Sequence, residues 1–119
     1  MIHDAQLLQQ YAETGSEPAF SELVSQHLDL VYSVAVRLVG GDTHLAQDVT
    51  QTVFTDLSLK ARSLPRGVVL AGWLHRHTFF VASSMVRTEQ RRRIREKQAA
   101  QMNTLDNSTE PDWDRLVPL

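Results

Sequence analysis

A chain of 119 residues, 42% hydrophobic and 22% charged, has room for one ordinary globular domain and not for two. Its formal net charge is −2, and it has no cysteine, which excludes disulfides, thiol chemistry, zinc–thiolate sites and iron–sulfur clusters. No apolar run approaches the roughly 18–20 residues that span a bilayer, and Met1-Ile2-His3-Asp4 lacks the basic-then-apolar layout of a secretory signal. Neither membrane insertion nor secretion by that route is expected, and the cytoplasm is the expected compartment.

The elements read as helices joined by short breaks. Asp4 is expected to cap a short first helix over about residues 5–14, ended by Gly15. Ser16 caps a second helix, with Glu17 and Pro18 suited to its first turn. Phe20, Leu23, Val24, Leu28, Val31, Ala35 and Leu38 recur at spacings of three and four, which marks its buried face. Gly40-Gly41 stops it, and Asp42 caps a third helix running to about Ala61. Leu45, Ala46, Val49, Val53, Leu57 and Ala61 form the expected inner face of that helix. Ser63 to Gly67 is a break, and Val68-Val69-Leu70, a short apolar run with no partner strand, is expected to be loop.

A long fourth helix follows, from about Leu70 to about Gln101. The rest, 102–119, contains Asn107-Ser108-Thr109-Glu110-Pro111 and reads as a linker, leaving 1–101 as the domain. The expected fold is therefore all-α, a small helical bundle of three main helices plus a short N-terminal one.

Charge is segregated along this layout. Residues 1–60 carry eight acids and two bases, 61–100 nine bases and two acids, and 101–119 four acids and one base. A near-neutral total hides a basic third that suits a polyanion, or simply a solvated helix end. On the fourth helix, Leu70, Leu74, Phe79, Val81, Ala82, Met85 and Val86 fill an apolar arc. The opposite stripe holds Trp73, Arg76, Phe80, Ser84, Arg87, Arg91 and Arg95. Aromatics interleaved with guanidinium groups suit single-stranded nucleic acid, where bases stack on rings and arginines neutralise phosphates. The same pattern would also arise from core aromatics beside a solvated basic end. The third helix presents Gln47, Asp48, Gln51, Thr52, Thr55 and Asp56, short polar groups with no base, which suit a protein partner or plain solvent.

Nothing points to catalysis. His75 and His77 stand two apart on a helix and diverge. The other histidines, His3, His27 and His44, belong to no metal-ligand spacing, and there is no phosphate loop or nucleophile motif. No enzyme activity, metal or cofactor is expected.

Four segments together resemble region 2 of a bacterial sigma factor of the extracytoplasmic-function group. Phe20-Ser21-Glu22-Leu23-Val24 through Val31-Tyr32-Ser33-Val34-Ala35 is similar to its opening helix. Gly41-Asp42 through Asp48-Val49-Thr50-Gln51-Thr52-Val53-Phe54 resembles its D-x-x-Q-x-x-F signature. Gly72-Trp73-Leu74-His75-Arg76 resembles G-W-L-x-R, and Arg87 to Lys97 its basic helix end. The resemblance covers roughly residues 6–100, in order and at the right separations. It implies that the third helix docks on the β′ clamp helices of core RNA polymerase through Gln47, Asp48, Gln51, Thr52 and Thr55.

It also implies that the Leu64–Gly72 loop, with Leu64 and Arg66, and the following helix, with Trp73, Arg76, His77, Phe80, Ser84, Arg87 and Arg91, hold the nontemplate single strand of the −10 promoter element. One base would be extruded into a pocket between loop and helix. The chain departs from the family's usual residues at Thr52, where an acid is common, and at Leu64, Phe80 and Ser84, where an aromatic, Asn and Asp are common. Leu64 and Phe80 would give a more apolar pocket. Complete members continue into a second helical domain that reads the −35 element, and 102–119 is expected to lead toward it. An anti-sigma factor is a further partner class. Two other readings stay open: a protein-interaction module without promoter recognition, and a duplex-binding helical domain, against which the length of the 64–72 loop argues.

Overall fold

All four expected helices form in the computed structural model, which describes residues 4–106. They are α1 (Asp4–Thr14), α2 (Glu17–Leu38), α3 (Thr43–Lys60) and α4 (Leu70–Asp106), with one 3-10 turn over Ala61–Ser63. Among the described residues there is no strand, and Val68-Val69 are loop. The chain forms two compact units, Met1–Val86 and Arg87–Leu119, and α4 contributes to both. The last helix runs past the expected Gln101 to Asp106, so the first residues of the expected linker are helical. Residues 107–119 lie outside those described. No described helix is long and apolar enough to cross a membrane.

Local chemistry sets the helix ends. Gly15 closes α1 at a φ of +69°, donating its N–H to the Tyr11 carbonyl at 2.8 Å. Ser16 Oγ accepts from the Ala19 N–H at 3.3 Å and starts α2. At the far end of α2, Gly40 donates to the Arg37 carbonyl and Gly41 to the Val36 carbonyl, at 3.4 and 2.9 Å, with both glycines at positive φ. This pair of bonds is the Schellman arrangement, and it satisfies carbonyls that the helix itself cannot. Asp42 then caps α3 through the Leu45 N–H at 3.1 Å. Asp4 corrects one expectation. It lies inside α1 rather than capping it, and its carboxylate meets His27 Nε2 on α2 at 2.9 Å.

The core of the first unit gathers Leu7 and Leu8 from α1, Leu23, Val31 and Ala35 from α2, Val49, Val53, Phe54 and Leu57 from α3, and Leu70, Leu74, Val81 and Ala82 from α4. Four expected core positions differ. Val86 is half-buried and stands outside the core cluster. Leu28 is 42% exposed because it lines an open groove between α2 and α3. Leu45 sits in the first turn of α3 and is half-buried. Phe79 is 58% exposed, one residue out of phase with the buried line through Leu74, Thr78, Val81 and Ala82.

Two threonines take core places that hydropathy alone would refuse them. Thr50 and Thr78 are buried, and their hydroxyls donate to the Ala46 and Leu74 carbonyls at 2.8 and 2.6 Å. A satisfied hydroxyl removes the desolvation cost of such a site.

Candidate functional site

On α4, Trp73, His77 and Phe80 stand at i, i+4 and i+7, a spacing that brings side chains over one another along one helix face. They form a stack of three rings. The Trp73 and His77 centroids lie 4.6 Å apart with planes 15° from parallel, and those of His77 and Phe80 lie 6.0 Å apart at 25°. The inner end of the stack is anchored, because Trp73 packs against the core. The outer end is presented, because Phe80 is 64% exposed. The middle ring is held from another helix: His77 Nε2 meets Asp56 Oδ2 of α3 at 2.7 Å, and the His77 side chain is only 11% exposed.

Arg76 is exposed beside this stack, with no ion pair among the described residues. It lies back along the helix, its Nη1 3.7 Å from where a Cβ on Gly72 would sit. Ser84 is exposed one turn beyond Phe80. The expected residues Trp73, Arg76, His77, Phe80 and Ser84 therefore share one stretch of α4.

Leu64 and Arg66 fall elsewhere. With Pro65 and Val68 they line a cavity of about 270 Å³ whose other wall is α1, through Leu8, Gln9, Ala12 and Glu13, and to which α4 contributes Leu70. The Arg62 Nε donates to the Ala12 carbonyl at 3.1 Å and ties the turn before the loop to the same helix.

In the second unit, Glu89 divides the basic run. Its carboxylate binds Arg92 at 2.6 Å and Arg93 at 3.5 Å, and Arg92 also reaches Glu96 at 3.0 Å. The hydrogen bond from Arg92 is the main reason that the Glu89 carboxyl is held below its ordinary range; partial burial opposes it, and the charges of Arg92 and Arg93 add to it. Arg92 is correspondingly raised, chiefly by its hydrogen bond to Glu89. Arg87, Arg91 and Arg95, four residues apart and so on one helix face, make no ion pair among the described residues.

The five α3 residues expected to meet a protein partner fall on two lines. Gln47, Gln51 and Thr55 border an open groove of about 540 Å³, with Phe20, Val24, Leu28, Tyr32 and Phe54 among its lining and Asp29 at its edge. Asp48 and Thr52 run along the neighbouring line, which ends at Asp56 and its bond to His77. The bond between Asp56 and His77 was not legible in the sequence, where the two stand 21 residues apart. The ring stack had a signal, since His77 lies four residues after Trp73 and three before Phe80. Among the described residues no group of three His, Asp or Glu is placed to hold a metal ion.

Comparison with known proteins bears on the same segments. The Sigma-70 region 2 family matches residues 23–92, from α2 to the basic part of α4. The chain is 42% identical over 77 residues to the ECF RNA polymerase sigma factor SigE of Mycolicibacterium smegmatis. That alignment covers 65% of this chain and 29% of the relative, so the chain spans less than a third of that protein's length. No solved structure matches the chain.

Proposed function

The chain belongs to the Sigma-70 region 2 family, as a region 2 domain of the extracytoplasmic-function type, and on that premise we propose that it docks on core RNA polymerase and holds the melted −10 element of a promoter. Residues 1–101 act as the region 2 domain. The observation that carries the reading is the exposed Phe80 ring at the end of an ordered stack, with Arg76, exposed and without an ion pair among the described residues, beside it.

A nontemplate base stacks on Phe80, and Arg76 neutralises a neighbouring phosphate. Trp73 and His77 back the ring that the base meets, and Ser84 stands one turn on. Arg87 and Arg91 in the second unit give a separate line for phosphates. The cavity beside Leu64 and Arg66 is the candidate receptor for an extruded base, with α1 rather than α4 as its opposite wall. Extrusion costs a few kcal/mol, which stacking and phosphate contacts offset. Gln47, Asp48, Gln51, Thr52 and Thr55 dock on the β′ clamp helices. No catalytic group or cofactor enters this role.

The test is fluorescence anisotropy of labelled −10-type oligonucleotides, single-stranded against duplex, over a salt series, with the chain alone and with core polymerase. Arg76→Ala and Phe80→Ala are each expected to weaken single-strand binding, Phe80→Ala by about 5- to 100-fold, the worth of one stacked base. Equal binding of duplex and single strand, or unchanged binding in both variants, would sink the reading.

A second reading has its own observation. The groove between α2 and α3 is floored by apolar and aromatic side chains, which suits a protein partner, either polymerase or an anti-sigma factor, without productive DNA recognition. Clear binding of core polymerase with no strand binding in any condition would favour it.

A further inference from the structure

We propose that Asp56 is a positioning residue for the strand-binding surface, holding His77 as the fixed middle ring of the Trp73–His77–Phe80 stack. This rests on the strand-binding reading above and goes further, because Asp56 belongs to α3 and was expected only as part of a polar outer face.

The argument starts from torsional freedom. The last torsion of a histidine side chain joins a tetrahedral carbon to a planar ring, and its energy profile is broad. Helix spacing brings His77 near Trp73 and Phe80 but does not choose its plane. The 2.7 Å bond from His77 Nε2 to the Asp56 carboxylate supplies the missing constraint, since a charge-assisted bond of that length needs one ring orientation. With that plane fixed, the rings on either side follow, at 15° and 25° from it. Phe80, with 64% of its surface open, has little else to orient it. A base arriving on Phe80 then finds a ring already ordered, and less conformational freedom is lost on binding.

The molecule contains its own control. Asp4 and His27 form a second helix-to-helix bond of nearly the same kind, at 2.9 Å, with the two side chains 34% and 12% exposed against 31% and 11% for Asp56 and His77. That pair joins α1 to α2 and touches no member of the ring stack. Asp4 also lines the cavity beside Leu64 and Arg66, and His27 does not, so the control breaks this second bond at His27. If the two bonds merely hold helices together, breaking either should have the same consequences.

The experiment measures single-strand anisotropy, thermal unfolding and Trp73 fluorescence for the full chain in a Trp113→Phe background, alone and with core polymerase. Asp56→Ala and His27→Ala are compared. Both are expected to lower the melting temperature. Asp56→Ala alone is expected to weaken single-strand binding about 2- to 10-fold, the range set by ordering one further side chain on binding, and to change the emission of Trp73. Asp56→Asn, which keeps an acceptor without the charge, is expected to fall between wild type and Asp56→Ala.

If Asp56→Ala does not fold, Asp56→Asn against His27→Gln carries the same comparison. Equal strand affinity for wild type and the Asp56 variants would overturn the proposal while leaving the strand-binding reading intact. An equal loss in the His27 variants would also overturn it, by reducing Asp56 to a structural tie. No strand binding by wild type, even with core polymerase, would overturn the strand-binding reading and this proposal with it.

Discussion

Glu89 and Arg92 are joined at 2.6 Å within one turn of α4, and the same carboxylate lies 3.5 Å from Arg93, so one acid pairs with two of the clustered arginines. The line through Arg87, Arg91 and Arg95 makes no such pairing among the described residues. Replacing Glu89 with Gln removes the charge facing Arg93 and leaves Arg92 with Glu96 alone. Single-strand affinity at low salt is expected to rise, and the slope of log affinity against log salt to steepen by up to about 0.7 for each added phosphate contact. Anisotropy over a salt series measures both.

The same carboxyl gives the second unit a dependence on pH. Glu89 is held below its ordinary value of 4.5, so it binds protons less readily when folded. Its contribution is fully present above that value and is lost as pH falls through the lower folded one. Far-UV circular dichroism is expected to show a small loss of helix below about pH 4.5, absent in Glu89→Gln and blunted at high salt.

Gly72 stands in the first turn of α4, where an added Cβ would meet Arg76 Nη1 at 3.7 Å, an ordinary contact. Nothing inside the protein therefore requires a glycine there. Gly72→Ala is expected to stabilise the fold by about 0.5–1 kcal/mol, read as a rise in melting temperature. If strand affinity falls at the same time, the glycine serves close approach by DNA.

Phe79 and Phe80 are adjacent and comparably exposed, yet only Phe80 joins the ring stack. Alanine at either position should change stability by less than about 0.5 kcal/mol, as for most exposed sites. Phe79→Ala is expected to affect single-strand binding less than Phe80→Ala. Parallel thermal melts and anisotropy titrations decide it.

Asp48 is exposed on α3, on the line leading to Asp56. Asp48→Lys is expected to weaken core polymerase binding about 3- to 10-fold, as charge reversal at an interface does. Single-strand binding by the chain alone should stay unchanged. Surface-immobilised core polymerase provides the readout.

The helices were legible because their ends are written in local chemistry. Ser16, Gly40-Gly41 and Asp42 each act within a few residues of themselves, and each makes the bond that its type suggests. The core was legible wherever apolar spacing kept phase. It failed at Leu28, which faces a groove that no sequence rule draws, and at Thr50 and Thr78, whose hydroxyls are satisfied within their own helix.

The candidate site was legible as a list of residue types and less so as a geometry. The stripe on α4 named Trp73, Arg76 and Phe80, but the bond from Asp56 to His77 joins positions far apart in sequence. Leu64 and Arg66 were read as partners of the helix that follows them, yet they line a cavity against the helix that opens the chain. Both depend on tertiary packing, which periodicity does not encode.

The tight turn at Gly40-Gly41 has a consequence in time as well as in shape. It lets α2 fold back directly into α3, as Gly15 does for α1 into α2, and each of these neighbouring pairs packs together. Contacts between elements adjacent in the chain keep the loops that must close short, and helical proteins so connected fold in microseconds to milliseconds. A ribosome adds only about 5–20 residues each second. The first unit, whose boundary falls at Val86, thus has ample time to close its core before the basic segment beyond it leaves the exit tunnel.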